Sequence, residues 1–157
     1  MNEAIQALID VRSRLLAACD LVPPEHHTEP FIGAWDLHDL LAHLAGWDYI
    51  DVAAIADLVA GRRPAFYDDY DADWAKINAR LVQTYRQERW LDAVDAARMS
   101  QELLVAALTA LPDGELDRDR GVRWNGHQLT IARILRATVR DEAAHVHQIE
   151  AFALTRR

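Results

Sequence analysis

One stretch sets the architecture of this chain: Trp35-Asp36-Leu37-His38-Asp39-Leu40-Leu41-Ala42-His43-Leu44-Ala45-Gly46-Trp47. Its leucines recur every three or four residues, which is the spacing of one buried face on an α-helix. Asp36 is placed to cap the start of that helix, and the pattern continues to about Ala60, where Gly61 ends it. The stretch therefore predicts an amphipathic helix that carries His43 within its apolar part.

Similar periodic patterns flank this helix. The first predicted helix begins after Asn2 and ends at the Pro23-Pro24 pair. Two periodic stretches, about 71–88 and about 90–111, form either one long bent helix or two helices, and Thr130 caps the last helix. The remaining long segments, 62–69 and 112–127, are predicted as connections. Because Gly, Pro and β-branched runs are also scarce, we expect an all-α fold, an up-and-down four-helix bundle with an additional helix or a bent third helix.

Composition narrows the possible classes of protein. A chain of 157 residues with 51% hydrophobic content predicts a single domain over residues 1–157. A formal net charge of −8 argues against nucleic acid and against an anionic membrane surface as partners. The single cysteine, Cys19, permits no internal disulfide, and the chain lacks both a signal-peptide pattern and an apolar run of about 20 residues. We therefore expect a cytoplasmic protein.

The segment Asp141-Glu142-Ala143-Ala144-His145-Val146-His147-Gln148-Ile149 suggests a metal site when it is compared with the helix around His43. Asp141 and His145 are four residues apart, so on a helix their side chains project from one face, a turn apart. If the two helices face each other, two imidazoles and one carboxylate converge in the core. Imidazole and carboxylate are natural ligands for Zn, Ni or Fe(II), and three protein ligands leave coordination positions open for water or substrate.

Ordinary roles compete with this interpretation. Taken alone, His43 is better explained as an ordinary histidine on a half-buried helix face, and Asp141 as a surface carboxylate paired with Arg140 or Arg136. Asp39 is also four residues from His43, so a different site would use Asp39 as its carboxylate. His147 lies two residues from His145 and points away from it, towards solvent.

Several other side chains are candidates to line or cover a pocket at the metal site. Trp47 lies one turn beyond His43 and could form a wall of the pocket, whose mouth could be lined by Tyr67, Tyr70 and Asn78. The connection before the last helix could overhang the site with Trp124 and offer His127 as an acid or base, although a loop histidine is usually only exposed. Cys19 is better explained as a small buried residue than as a nucleophile.

Residues 35–47 and the segment from Leu129 through Asp141-xxx-His145-xx-Gln148-Ile149 resemble the DinB-like superfamily of bacterial helical bundles. The resemblance covers most of the chain. It implies an up-and-down bundle, a divalent ion held by His43, Asp141 and His145, and a homodimer. The family commonly has His-xxx-His at the last position, where this chain has Asp141-xxx-His145. The related mycothiol-dependent maleylpyruvate isomerases look similar, with Glu-xxx-His there.

The resemblance implies a divalent metal ion, Zn or Ni, and a low-molecular-weight thiol as cosubstrate. The stretch 66–78 with the long helix that follows is similar to several branches, among them cyclopropane hydrolases that protect bacteria from colibactin-type toxins. The leading hypothesis is a metal-dependent thiol transferase, isomerase or hydrolase acting on an electrophilic small molecule. The alternatives are a helical bundle that binds a small molecule without turnover, in which binding survives loss of His145, and an oligomeric bundle with a tightly packed, pocketless core around His43.

Overall fold

The computed structural model describes residues 1–68 and 73–157 and shows a mainly helical protein. Its long helices are α1 (Glu3–Asp20), α2 (Leu37–Val59), α5 (Trp90–Thr109) and α6 (Ile131–Leu154). The shorter elements are a 3-10 helix (Pro24–His26), α3 (Ala65–Asp68), α4 (Trp74–Tyr85) and the strands β1 (Arg123–Trp124) and β2 (His127–Gln128). The prediction of an all-α bundle with an additional helix is confirmed.

The predicted helix starts are made by side-chain caps. Asn2 accepts a hydrogen bond from the backbone N–H of Ala4 at the start of α1, and Thr130 caps α6. Asp36 and Asp39 form a reciprocal capping box at the start of α2, each side chain accepting from the backbone of the other. Such caps satisfy backbone donors that the helix leaves free, so these short sequence signals define the element boundaries.

The four long helices pack around two hydrophobic clusters, and each helix contributes to both. α1 packs along α6 and α2 packs along α5, while α2 also contacts α6 and α1 contacts α5. α2 and α6 are therefore neighbours, although about a hundred residues separate them in sequence. This neighbourhood is what allows side chains from the two helices to meet.

The two middle stretches form two helices rather than one bent helix. The chain turns to extended backbone at Arg86 and Arg89, which ends α4 at Tyr85 and starts α5 at Trp90. Arg86 binds both carboxylates of the capping box, Asp36 Oδ1 at 2.9 Å and Asp39 Oδ1 at 2.5 Å. A side-chain cluster at the start of α2 thus holds the break between α4 and α5.

Two predicted connections contain short regular structure. Residues 62–69 were expected to be irregular, but α3 forms within them. Residues 112–127 include β1, which pairs in antiparallel register with β2 through a tight turn at Asn125 and Gly126, both with positive φ. Neither element has enough residues to show a periodic hydrophobic pattern, which explains why the sequence did not reveal them.

α4 packs closely on α2 at Gly46. A Cβ atom at this position would lie 2.9 Å from Leu81 Cβ and Cδ2, and 3.0 Å from Tyr85 Cδ2. The missing side chain therefore permits the close approach of the two helices. Within the described residues, none of the helices has the length and apolar character needed to cross a membrane.

Candidate metal centre

The three predicted ligands lie together. His43 on α2 and Asp141 on α6 approach to 3.4 Å between Nε2 and Oδ2, although 98 positions separate them in sequence. His145, one turn further along α6, has its Nε2 atom 3.5 Å from the same Asp141 oxygen. One potential ligand atom from each residue falls within 4.8 Å of the other two. The structure therefore brings together a group that could hold a metal ion.

Burial differs among the three side chains. His43 is 5% exposed and His145 is 12% exposed, whereas Asp141 is 58% exposed. The two imidazole rings meet edge to face, with centroids 5.3 Å apart, and Trp35 packs on His43 with its ring centroid at 5.0 Å. The two imidazoles are thus the buried part of the group, and the carboxylate lies on its solvent-exposed side.

Neighbouring contacts orient His145. Its Nδ1 atom hydrogen bonds to Gln148 Oε1 at 2.6 Å, which favours a proton on Nδ1 and, in the neutral ring, leaves the lone pair on Nε2. A metal-binding histidine commonly uses its second ring nitrogen in this way. Gln148 therefore fixes the tautomer that a metal ligand requires.

The electrostatics couple Asp141 to both histidines. Burial raises the pKa of Asp141, but close contacts with the His145 and His43 imidazoles outweigh this effect and hold the pKa well below its usual value. For His145, burial lowers the pKa, but the close contact with the negatively charged Asp141 raises it by more, so the net shift is upward. Asp141 is consequently an anion at neutral pH, which suits a ligand for a cation.

The donor set fits a divalent ion on two independent grounds. His145 Nε2, which lies near Asp141, is buried and has no hydrogen-bond partner among the residues that the structure describes. A buried polar nitrogen normally has a partner, and a bound ion is one explanation for an exception. Two imidazoles and one carboxylate also match the donor chemistry of Zn, Ni or Fe(II).

Other sequence candidates lie elsewhere. Asp39 is engaged in the capping box and with Arg86, so it is not available as the carboxylate of a site with His43. His147 is 74% exposed and faces Glu150, as its spacing from His145 predicted. His127 is exposed on β2, consistent with an ordinary surface histidine.

A cavity of about 580 Å³ adjoins the candidate metal centre and is bordered by two of its three residues. His43 and Asp141 form part of its lining, and aromatic rings form another wall. Trp47 packs edge to face on Phe66 at 5.2 Å and lies 5.6 Å from Trp74 between ring centroids, while its Nε1 donates to Asn78 Oδ1 at 2.9 Å. This volume is in the usual range for a small-molecule site, and it argues against the alternative of a pocketless bundle.

The predictions for the pocket wall hold in part. Trp47, Tyr67 and Asn78 line the cavity, as expected. Tyr70 lies outside the described residues. Trp124 does not line the cavity but packs on Tyr67, with ring centroids 4.2 Å apart, so it contacts the wall indirectly.

A buried ion network that borders the cavity through Asp48 and Glu142 was not identified from the sequence. Arg12 on α1 is 2% exposed and donates to Asp48 on α2, to the Ala97 carbonyl on α5 and to Glu142 on α6. Ser100 donates to Asp48 at 2.6 Å. The network connects all four long helices. The sequence feature that could have revealed it is Arg12, an arginine at an apolar position of the α1 pattern.

Comparison with known proteins assigns the chain to a family. A family model described as DinB superfamily matches residues 7–149. No curated protein and no solved structure matches the chain. The match includes all three candidate ligands and the walls of the cavity.

Proposed function

This chain belongs to the DinB superfamily, and we propose that it is a divalent-metal-dependent enzyme whose ion is held by His43, Asp141 and His145. The reaction class is thiol transfer, isomerisation or hydrolysis of an electrophilic small molecule, with Zn or Ni as the ion. The observation that carries the proposal is the convergence of three donor atoms within 4.8 Å, with the buried His145 Nε2 lacking a hydrogen-bond partner.

The ion would supply the electrophilic chemistry. Bound by three protein ligands, a divalent ion keeps open positions, lowers the pKa of a thiol or water there and stabilises developing negative charge. The chain supplies orientation, since Gln148 fixes the His145 ring and Trp35 packs on His43. The aromatic wall beside Trp47 would hold the apolar part of the substrate and exclude water from it.

Elemental analysis tests the ion. Protein purified without added metal is compared with the variants His43→Ala, Asp141→Asn and His145→Ala, and with His147→Ala as a control on the same helix. We expect close to one divalent ion per chain in wild type and in His147→Ala, and a large loss in the three ligand variants. Equal metal content in wild type and in a His43→Ala/His145→Ala double variant would contradict the proposal.

A second candidate function is binding without turnover, which the size and aromatic wall of the cavity also favour. The two functions differ in their dependence on His145. A thiol-dependence assay with glutathione and a chromogenic electrophile, run on metal-loaded wild type and His145→Ala, distinguishes them. Thiol consumption that requires His145 supports the enzyme, whereas binding of the electrophile that survives in His145→Ala without turnover supports the binding module.

A further inference from the structure

Asp51 is a buried acid in the wall of the cavity, away from the metal ligands. His43, Trp47 and Asp51 follow one another at intervals of four residues on α2, so they lie along one side of the helix. Asp51 is two turns from His43, about 12 Å along the helix axis. It is 6% exposed and lines the cavity. The cavity thus has a carboxyl group at some distance from its metal-binding end.

The contacts of Asp51 provide no positive charge. Thr138 Oγ1 donates to Asp51 Oδ2 at 2.9 Å, and among the described residues this is its one hydrogen bond. Thr138 also donates to the Ile134 carbonyl, so its hydroxyl proton is shared between two acceptors. Buried carboxylates are normally paired with a cation, and here none of the described arginines lies within ion-pair distance.

The charged groups that face Asp51 are themselves acidic. Asp48 on its own helix and Glu142 on α6 both act on Asp51 as negative charges. They share a single guanidinium, that of Arg12, so an ionised Asp51 would be a third carboxylate beside one cation. Tyr67, the phenol on the other side, has its pKa raised to about 12 by burial and by Asp51, so it remains neutral.

These surroundings favour the protonated form of Asp51. Burial, helped by the charges of Asp48 and Glu142, raises its pKa to about 8 against the opposing hydrogen bond from Thr138. A carboxyl group kept neutral in an apolar site can donate a strong hydrogen bond, which a carboxylate cannot do. The direction follows from the geometry, because burial without a cation always penalises the charged form.

We propose that Asp51 is a specificity-determining residue, a protonated carboxyl group that donates a hydrogen bond to a neutral oxygen acceptor of the ligand, while Thr138 holds its other oxygen. The class of ligand is an uncharged molecule with an apolar or aromatic part and a carbonyl-type oxygen. Carboxylates and phosphates are disfavoured at this end, because Asp48 and Glu142 line the same cavity and act on Asp51 as negative charges. The inference rests on the small-molecule role proposed above and does not depend on the ion.

The test uses benzamide and benzoate, two planar probes of nearly equal size that differ in charge. Binding of each to the full-length protein is measured by NMR titration at pH 6, 7 and 9, with EDTA present so that neither probe can bind a metal. Wild type is compared with Asp51→Leu, which removes the donor, and with Asp51→Asn, which keeps a neutral donor. Asp95→Asn, which changes an exposed carboxylate on α5, is the control.

We expect benzamide to bind wild type and Asp51→Asn at pH 6, and Asp51→Leu roughly fivefold to tenfold more weakly, the effect of one lost hydrogen bond. Benzoate should bind wild type more weakly than benzamide. The benzamide affinity of wild type should fall as pH rises from 7 to 9, and that of Asp51→Asn should not. A purely structural Asp51 would not produce this difference in pH dependence.

The proposal is overturned if benzamide fails to bind wild type, if benzoate binds at least as well, or if Asp51→Leu has wild-type affinity. Infrared difference spectra of wild type minus Asp51→Asn at pH 6 provide an independent check. They should show a protonated-carboxyl C=O band, and a carboxylate band in its place also overturns the proposal. Because every measurement is made without metal, a failed elemental analysis leaves these outcomes interpretable, and the reverse also holds.

Discussion

Arg12 on α1 donates two hydrogen bonds to Glu142 on α6, from Nε to Oε2 at 2.9 Å and from Nη2 to Oε1 at 2.6 Å. Glu142 directly follows Asp141, the carboxylate of the candidate metal centre. A planar guanidinium that binds a carboxylate through two parallel bonds fixes the orientation of both groups. The Arg12 network thereby sets the rotation of α6 at the residue next to the site.

Replacing Arg12 by Met should destabilise the fold. The substitution leaves Asp48 and Glu142 buried without a cation, which costs about 3–5 kcal/mol in comparable buried networks. Urea denaturation at pH 7 measures the loss in the free energy of unfolding. Arg14→Met, an exposed position of the same helix, should change it little, and a triple variant with Asp48→Leu and Glu142→Leu should recover most of the loss. A wild-type midpoint for Arg12→Met would show that the network is not needed for stability.

Adding a methyl group at Gly46 should also be destabilising, although alanine normally favours a helix. The new Cβ would lie 2.9 Å from both Cβ and Cδ2 of Leu81. A rotamer change would move Cδ2 but not Cβ, so α2 and α4 must separate. Overpacking of this kind costs about 1–3 kcal/mol, more than the roughly 1 kcal/mol gained in helix propensity. Thermal denaturation of Gly46→Ala, alone and with Leu81→Ala, measures the effect. The second substitution should make the first less costly, and additive losses would argue against the close contact.

The stability of the protein should depend on pH through Asp51. Its pKa is raised to about 8 in the folded state by burial and by Asp48 and Glu142, compared with 3.8 for the free side chain. Between these values the folded state binds a proton that the unfolded state has released, so this contribution is complete below about pH 4 and is lost as pH rises through 8. Urea denaturation from pH 5 to 8.5 in EDTA should show wild type losing stability relative to Asp51→Asn. Parallel curves for the two proteins would contradict the raised pKa.

Cys19 should be unreactive in the folded protein. Burial, with a smaller contribution from the charge of Asp20, raises the pKa of its thiol to about 12, and the thiolate is the reactive form. Labelling with iodoacetamide at pH 8 should be slower than for the unfolded chain by at least about a hundredfold, since each pKa unit lowers the thiolate fraction about tenfold. A cysteine introduced at the exposed Ser13 provides the control, because it should label at similar rates in both states. Rapid native labelling of Cys19 would show that α1 opens locally.

Removing the partner of His145 should weaken metal binding without removing a ligand. Gln148→Ala releases the Nδ1 proton from its acceptor, and loss of such partners typically costs 10–100-fold in affinity, of the order of 1.4–2.8 kcal/mol. Competition with a chromogenic chelator measures the dissociation constant for Zn in wild type, Gln148→Ala and His147→Ala. The last variant should bind as wild type does. Equal affinities in all three proteins would mean that Gln148 does not orient His145.

Much of the fold could be predicted because its signals are local. The caps at Asn2, Asp36 and Thr130, together with the three-to-four-residue spacing of leucine, define helices through hydrogen bonds and periodicity within a few residues. The same spacing placed Asp141 and His145 on one face. That Asp141 and His145 lie next to His43 followed only from the family resemblance, because no local sequence signal specifies which helices become neighbours.

The sequence by itself determined where the helices begin and which side chains share a face, because backbone geometry fixes both within one or two turns. Only the tertiary structure decided how deeply each charged side chain is buried and which charges lie beside it. It enclosed Arg12 among Asp48 and Glu142 and left Asp51 buried without a cation. Burial and electrostatic coupling depend on atoms brought together from four helices, and such long-range proximity has no counterpart in the spacing of residues along the chain.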